Sequence, residues 1–168
     1  MDVKTYLLKQ ITGTYDSLDS ALEGLTAEQL PWNPPGTANP IGLTIVHALS
    51  SEDMFISALC GKTQVWQAQA WAEKFNLTEP PGYGQDWTVY RNAKLSLESL
   101  LAYRDAVRVE TRVYLEGLMP EELDRSVKIF GGSQPAADVL VLLIEHLLTH
   151  AGEIAALKGV YGVKGLPY

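Results

Sequence analysis

The stretch QPAADVLVLLIEHLLTHAGEIAALKGV, residues 134 to 160, is rich in Leu, Ile, Val and Ala, yet it contains two of the chain's three histidines. Pro135 stands near its start and Gly162 follows its end, the usual placement of these residues around a helix. With residues placed about 100° apart around this helix, apolar side chains occupy most directions. A helix that is apolar on most sides is enclosed by other elements. The stretch therefore predicts a helix inside a helical bundle.

Three earlier segments show the spacing of apolar residues by threes and fours that indicates helices. They are residues 2 to 23, about Pro40 to Cys60 and about Thr88 to Glu116. A glycine follows each of them, at Gly24, Gly61 and Gly117, as is common where helices end. No alternating β-branched run bounded by turn residues is present, so no strands are expected. The pattern predicts an all-α fold, a four-helix bundle with a long crossover between helices 2 and 3, in a single domain of residues 1 to 168.

Two similar heptapeptides, GLTAEQL at 24 to 30 and GLMPEEL at 117 to 123, each follow a long helix and precede a loop. We interpret the chain as two helical hairpins, each ending in a histidine-bearing helix. The crossover between them, residues 61 to 87, contains three of the four tryptophans. A connection of this length is usually functional or partly structured, and its VWQAQAWAEKF segment could form a short helix. Its tryptophans either pack on the bundle or cover a pocket.

Composition and charge exclude several classes of protein. A net charge of -7 without a basic cluster argues against nucleic-acid binding, since that affinity depends on Lys and Arg at phosphates. The N-terminal MDVKTYLLKQ lacks the basic and apolar regions of a signal peptide, and no uninterrupted apolar run approaches the roughly 20 residues of a membrane span. The single cysteine, Cys60, cannot form an intramolecular disulfide. We therefore expect a cytoplasmic protein without nucleic-acid or membrane partners.

The last helix carries a polar patch within an apolar surrounding. His146 and His150 lie on successive turns of one face, with Thr149 and Glu153 beside them and apolar residues above and below. Imidazoles on an enclosed surface need partners, because burying an unpaired polar group costs roughly 2 kcal/mol or more. The i, i+4 spacing suits a divalent ion that takes neutral nitrogen ligands. The alternative is a pair of structural histidines with hydrogen-bond partners in the protein.

His47, the third histidine, stands in the middle of PIGLTIVHALSSE on the second predicted helix. Its helical neighbours are partly polar, and such a face could line an internal cavity. All three histidines thus lie in the middle of two helices of one predicted bundle, which makes them candidate ligands of one ion. Glu52 and Asp53 follow His47 by five and six residues, so they point away from its face, and we expect them on the solvated surface.

HLLTHAGEI resembles the last-helix motif of the DinB-like and YfiT-like four-helix-bundle superfamily, in which two histidines separated by three residues recur. LPWNPPGTANPIGLTIVHALSSE is similar to the earlier signature of that superfamily, a proline-rich loop leading into a helix with the first metal histidine. WQAQAWAEKF is similar to a crossover found in one subgroup. The resemblance implies a bundle, often a homodimer, in which His47, His146 and His150 together bind a divalent metal. We expect zinc or nickel.

Two positions depart from the pattern of that superfamily. Thr149 stands where many relatives have an additional histidine, and Glu153 stands where they commonly have glutamine. Glu153 is our candidate catalytic residue, since its carboxylate could orient a ligand imidazole, approach the metal or act as a base. The alternative is a charged side chain that simply extends into solvent near the end of the helix.

Three histidine ligands leave a coordination position open, which is typical of a catalytic metal site. Activation of water there would give hydrolysis, and activation of a thiol would give transfer to an electrophile or thiol-assisted isomerisation. The resemblance favours the thiol, because characterised relatives use low-molecular-weight thiols such as bacillithiol or mycothiol. We therefore predict a divalent-metal-dependent thiol S-transferase or isomerase with a small-molecule substrate. A metal-dependent hydrolase and a non-catalytic metal-binding bundle are the alternatives.

Overall fold

The computed structural model describes residues 1–90 and 92–166, in which four long helices and two short ones dominate. In chain order these are α1 (Val3–Leu22), α2 (Ile41–Cys60), α3 (Val65–Ala68), α4 (Trp71–Phe75), α5 (Leu97–Gly117) and α6 (Ala136–Tyr161). The short helices α3 and α4 lie in the crossover between α2 and α5. The predicted fold, a four-helix bundle with a long crossover between its second and third long helices, is confirmed.

The long helices surround one hydrophobic core that extends from Ile11 to Leu157. α1 and α2 each pack against both α5 and α6, so α1 lies diagonally opposite α2, and α5 lies diagonally opposite α6. The predicted pairing into two hairpins of neighbouring helices is therefore wrong. Residues 23 to 40 form a connection that is long enough to cross the end of the bundle, and they allow α2 to take the diagonal position.

The start of the third long helix also differs from the prediction. Residues Trp87–Tyr90 form only a short 3-10 turn, and α5 begins at Leu97 instead of Thr88. Ser96 and Ser99 explain this start, because each side chain bonds to the backbone amide of the other in a capping box. The apolar spacing of the segment does not distinguish the 3-10 turn from the helix, so only the capping residues mark the boundary.

The structure contains a small antiparallel hairpin that contradicts the expectation of no strands. β1 (Ser126–Ile129) pairs with β2 (Gly132–Pro135), and Phe130 and Gly131 form the turn with positive φ angles of 53° and 74°. Val127 and Ile129 are buried while Ser126 and Lys128 are exposed, so the period of two is present in the sequence. The run is four residues long, which is too short to stand out from the surrounding loop.

Two helices, α2 and α6, are long and apolar enough to cross a membrane when judged by length and composition alone. α2 is buried among the other helices over most of its length, and α6 contributes Leu143, Leu147 and Ile154 to the same core. Core helices of bundles have this composition. Packing therefore accounts for most of the apolar character of α2 and for part of that of α6.

Asp53 attaches the crossover to the bundle. Its carboxylate accepts hydrogen bonds from the backbone amides of Val65 and Trp66, at 2.8 Å each, and from the hydroxyl of Tyr103 at 2.9 Å. The two amides belong to the first turn of α3, whose N-cap residue Gln64 makes no side-chain cap. Burial raises the pKa of Asp53, and these hydrogen bonds counteract that rise. Asp53 thus caps a helix that is too short to be stable alone.

Glu52 lies where α1, α2 and α5 meet. Its Oε1 accepts hydrogen bonds from the hydroxyls of Tyr15 and Thr111, the latter at 2.7 Å. Its Oε2 is buried and has no hydrogen-bond partner among the described residues. Burial raises the pKa of Glu52, an effect that the two hydroxyls and the charge of Arg108 counteract.

The expected surface position of Glu52 and Asp53 is therefore wrong, because both side chains are 0% exposed. Their direction away from His47 was predicted correctly, but that side of α2 is covered by α1, by α3 and by α5. The sequence shows where a side chain points on its own helix and not which other helix covers it.

We expect Asp53→Ala to lower the free energy of unfolding by about 3 kcal/mol or more, because it leaves two amides and a buried hydroxyl without their acceptor. Urea denaturation followed by circular dichroism would measure the loss. Asp16→Ala, an exposed position on α1, is the matched control and should change stability by less than about 0.5 kcal/mol. Equal effects of the two substitutions would contradict the capping role of Asp53.

Glu52 should make stability depend on pH. Because its folded-state pKa is raised above the unfolded value, its contribution to stability is complete below about pH 4.5 and is lost as pH rises toward the folded pKa. The Glu52→Gln protein has no such group, so the free energy of unfolding of the wild type should fall relative to it as pH increases above that value. Urea denaturation of both proteins across this range would test this. If the free energies of unfolding of the two proteins changed in parallel with pH, folding would not raise the pKa of Glu52.

Candidate metal centre

The three histidines meet between α2 and α6. The ring centroids of His47 and His146 are 5.0 Å apart, those of His47 and His150 are 4.8 Å apart, and those of His146 and His150 are 4.4 Å apart. One ring nitrogen of each lies within 4.8 Å of the other two, and all three side chains are at least partly buried. The expectation that these side chains converge is confirmed, and their role as metal ligands stays a prediction.

A backbone carbonyl from the crossover orients His47. Its Nδ1 lies 2.7 Å from the carbonyl oxygen of Pro81. Because a carbonyl oxygen can only accept, Nδ1 carries the proton, and Nε2 of the neutral ring has a free lone pair. Burial lowers the pKa of His47, although the bond to Pro81 counteracts this, so the neutral ring is favoured.

Glu153 orients His150 in the same way. Its carboxylate Oε2 lies 2.7 Å from Nδ1 of His150, and the hydrogen bond from that ring lowers the pKa of Glu153. The ionised carboxylate accepts a hydrogen bond from Nδ1–H of His150, which leaves Nε2 as the ring nitrogen that can face a metal. A carboxylate bonded to the outer nitrogen of a ligand histidine is a recurrent feature of metal sites. Of the roles considered for Glu153, this contact supports the orientation of a ligand imidazole, and a catalytic role stays a prediction.

His146 completes the cluster. Its Nε2 lies 3.3 Å from Nε2 of His150, while its Nδ1 is buried and has no hydrogen-bond partner in the described part of the chain. Burial, followed by the nearby charges of His150 and His47, lowers the pKa of His146 to about 4. The ring is therefore neutral at physiological pH.

The cluster fits a divalent ion in its chemistry, and its His146–His150 pair also fits one in spacing. Neutral imidazole nitrogens are ligands that Zn²⁺ and Ni²⁺ accept. Two nitrogens bound to one tetrahedral ion at about 2.1 Å stand about 3.4 Å apart, close to the 3.3 Å between His146 and His150. In residues 1–90 and 92–166, no other group of three His, Cys, Asp or Glu side chains comes close enough together to hold an ion.

Thr149 lies outside this cluster. Its side chain is exposed, and its hydroxyl donates to the backbone carbonyl of Glu145 at 2.8 Å. The departure from the pattern at Thr149 therefore leaves the three imidazoles unaffected.

The crossover contributes two groups that the sequence did not identify, the carbonyl of Pro81 and the ring of Trp87. The Trp87 ring centroid lies 5.0 Å from that of His47. Trp66 and Trp71 instead pack in the core against Tyr103. The two interpretations of the crossover tryptophans thus apply to different residues, since Trp66 and Trp71 pack on the bundle and Trp87 lines a cavity. The three tryptophans of the crossover were the sequence feature that could have indicated Trp87. A backbone carbonyl is present in every residue, so no sequence feature indicates that of Pro81.

Comparison with known proteins shows similarity in sequence and in fold. The family model of the DinB superfamily matches residues 10–154, a range that includes all three histidines and Glu153. A conserved protein from Enterococcus faecalis has a similar structure, with a TM-score of 0.79 and 20% identity over 95% of this chain and 97% of that one. The DinB-like protein YjoA from Bacillus subtilis gives a TM-score of 0.55 and 17% identity over 98% of this chain and 95% of that one. Both structures share the fold, and no match was found among curated proteins.

Zn²⁺ or Ni²⁺ at 100 times its dissociation constant should raise the free energy of unfolding by about 2.7 kcal/mol, because the ion binds only the folded arrangement of the histidines. His150→Ala should remove most of this gain. Thr149→Ala, at the adjacent exposed position, is the matched control and should retain it. Urea denaturation with and without each ion provides the measurement. If neither ion stabilised the wild type, the three histidines would not be a metal site.

Proposed function

The chain belongs to the DinB superfamily, and we propose that His47, His146 and His150 hold a zinc or nickel ion for the transfer of a low-molecular-weight thiol to an electrophile, or for a thiol-assisted isomerisation. The convergence of three imidazole nitrogens within 4.8 Å carries this proposal. Bonds at the outer nitrogens of two of the rings support it, because they leave the inner lone pairs free.

The protein's own residues prepare the site before any ligand arrives. Pro81 and Glu153 each hold the outer proton of one imidazole and fix the orientation of its ring. Burial keeps His47 and His146 neutral, so no proton has to leave these rings before an ion binds. A divalent ion held there supplies a Lewis acid that favours the ionised form of a thiol or a water molecule.

The chain's cysteine cannot act as the thiol at this site. Cys60 is the only cysteine, and it stands 13 residues after His47 on α2, about 20 Å further along the helix axis. Burial also raises the pKa of Cys60, which disfavours the thiolate. The thiol is therefore a separate molecule, and we propose one of the bacillithiol or mycothiol type.

The resemblance also implied a homodimer, and we retain it as a prediction. Val141 and Leu148 are exposed on α6, at 52% and 43%, and lie seven residues apart on the same side of that helix. An apolar stripe of this kind is consistent with a second copy packing on α6. Sedimentation equilibrium of the purified protein measures the oligomeric state directly.

We expect the metal-loaded protein to join a bacillithiol- or mycothiol-type thiol to chlorodinitrobenzene. The sulfur forms a bond to the ring carbon, the carbon–chlorine bond breaks, chloride leaves and the thiol proton goes to solvent. His146→Ala and a chelator should each reduce the rate to that without enzyme, because both remove the ion. The absorbance of the thioether product gives the rate for a panel of thiols.

Other results of this assay would change the assignment. Turnover that persists unchanged in all three histidine variants would reject metal catalysis. Cleavage of esters or amides with metal, and no reaction with any thiol, would identify a hydrolase. Metal binding without either reaction would indicate a non-catalytic bundle.

A further inference from the structure

A cavity of about 870 Å³ lies between the loop of residues 31–40 and residues 85–90 and 93–95, and none of the three histidines is among its described lining residues. Its size is that of cavities that bind small organic molecules. Trp87 belongs both to the wall of this cavity and to the surroundings of His47. Leu43, one helical turn before His47 on α2, also lines it. Trp87 and Leu43 therefore connect the wall of the cavity to the surroundings of His47.

One wall of the cavity is aromatic and offers no free donor from its two rings, Trp87 and Tyr90. The indole N–H of Trp87 already donates to the carbonyl of Gly82 at 2.9 Å. The hydroxyl of Tyr90 donates to Oε1 of Gln85 at 2.9 Å. Because both donors are engaged within the protein, Trp87 can contribute only apolar contact to a ligand, and Tyr90 can contribute its ring surface and an acceptor oxygen. Leu43 extends this apolar surface.

The facing loop is polar and uncharged. Asn33, Thr37 and Asn39 line the cavity, and none of their side chains makes a hydrogen bond within the described part of the chain. Their amides and hydroxyl are thus available to a ligand. The charged residues among the described lining are Asp86 and Lys94, which have opposite signs and are both exposed. The lining therefore combines an apolar face with a neutral hydrogen-bonding face.

We propose that this cavity binds the electrophilic substrate, and that the substrate is an uncharged organic molecule with a flat apolar face and a hydrogen-bonding edge. The flat face stacks on Trp87, and the edge contacts Asn33 and Asn39. A charged molecule is disfavoured, because it would lose hydration without meeting a buried charge of opposite sign among the described lining residues. The role of this molecule as a substrate rests on the proposed function, whereas its binding to the cavity does not. Trp87 is accordingly the residue that determines specificity next to His47.

Titration calorimetry with dinitrobenzene tests this assignment. The probe is neutral and flat, its nitro oxygens accept hydrogen bonds, and it has no leaving group, so binding is measured without turnover. We expect one molecule to bind per chain, and dinitrobenzoate, its anionic counterpart, to bind at least about tenfold more weakly. Trp87→Ala should weaken dinitrobenzene binding about tenfold or more, since the stacking face is lost. Trp32→Phe is the matched control and should bind as the wild type does, because Trp32 packs on Tyr161 outside the cavity.

A second variant tests the same assignment if the Trp87→Ala protein does not fold. Asn33→Ala lies on the exposed loop and should also weaken binding without altering thermal stability. Absence of dinitrobenzene binding, equal binding of dinitrobenzoate, or wild-type binding in both Trp87→Ala and Asn33→Ala would overturn the assignment.

Zinc titration of the same proteins separates this inference from the proposed function. Binding of zinc without binding of dinitrobenzene overturns the cavity assignment alone. Binding of dinitrobenzene without zinc upholds the cavity as a ligand site and overturns the metal-dependent function.

Discussion

Enclosure of α2 is the constraint on which the rest of the structure depends. Most residues of this helix are buried, including two carboxylates, and a buried polar group is costly unless the protein supplies its partner. His47, Glu52 and Asp53 leave α2 in different directions, and each meets a different set of partners. Glu52 meets the hydroxyls of the bundle centre, Asp53 meets the crossover, and His47 meets the other histidines. The polar residues of one helix thus position the elements around it.

The crossover is hydrogen-bonded to two residues of α2, and it contributes to the candidate site. Asp53 binds its beginning through the amides of α3, and His47 binds its later part through the carbonyl of Pro81. The segment held in this way includes Trp87, whose ring lies near His47 and lines the large cavity. A connection that is needed topologically only to join α2 to α5 therefore also forms one wall of the candidate site.

Family membership and local geometry support different parts of the functional argument. The match to the DinB superfamily covers the histidines but says nothing about a substrate, and the similar solved structures, at 20% and 17% identity, show the fold alone. The hydrogen bonds of Pro81 and Glu153 are properties of this chain, and they explain why the lone pairs of two rings face inward. The lining of the cavity is likewise a property of this chain: its described charged residues, Asp86 and Lys94, have opposite signs and are exposed, and the rest of the described lining is neutral.

The sequence by itself determined the helical fold, the long crossover and the candidate ligands, because these depend on local periodicity, on glycine and proline at helix ends, and on the i, i+4 spacing of His146 and His150. Only the tertiary structure decided which helices are neighbours, and with that the burial of Glu52 and Asp53. It also decided that Pro81 and Trp87 meet His47. The physical reason is that periodicity fixes the direction of a side chain relative to its own helix axis, whereas burial and partners depend on packing between segments that are distant in the chain.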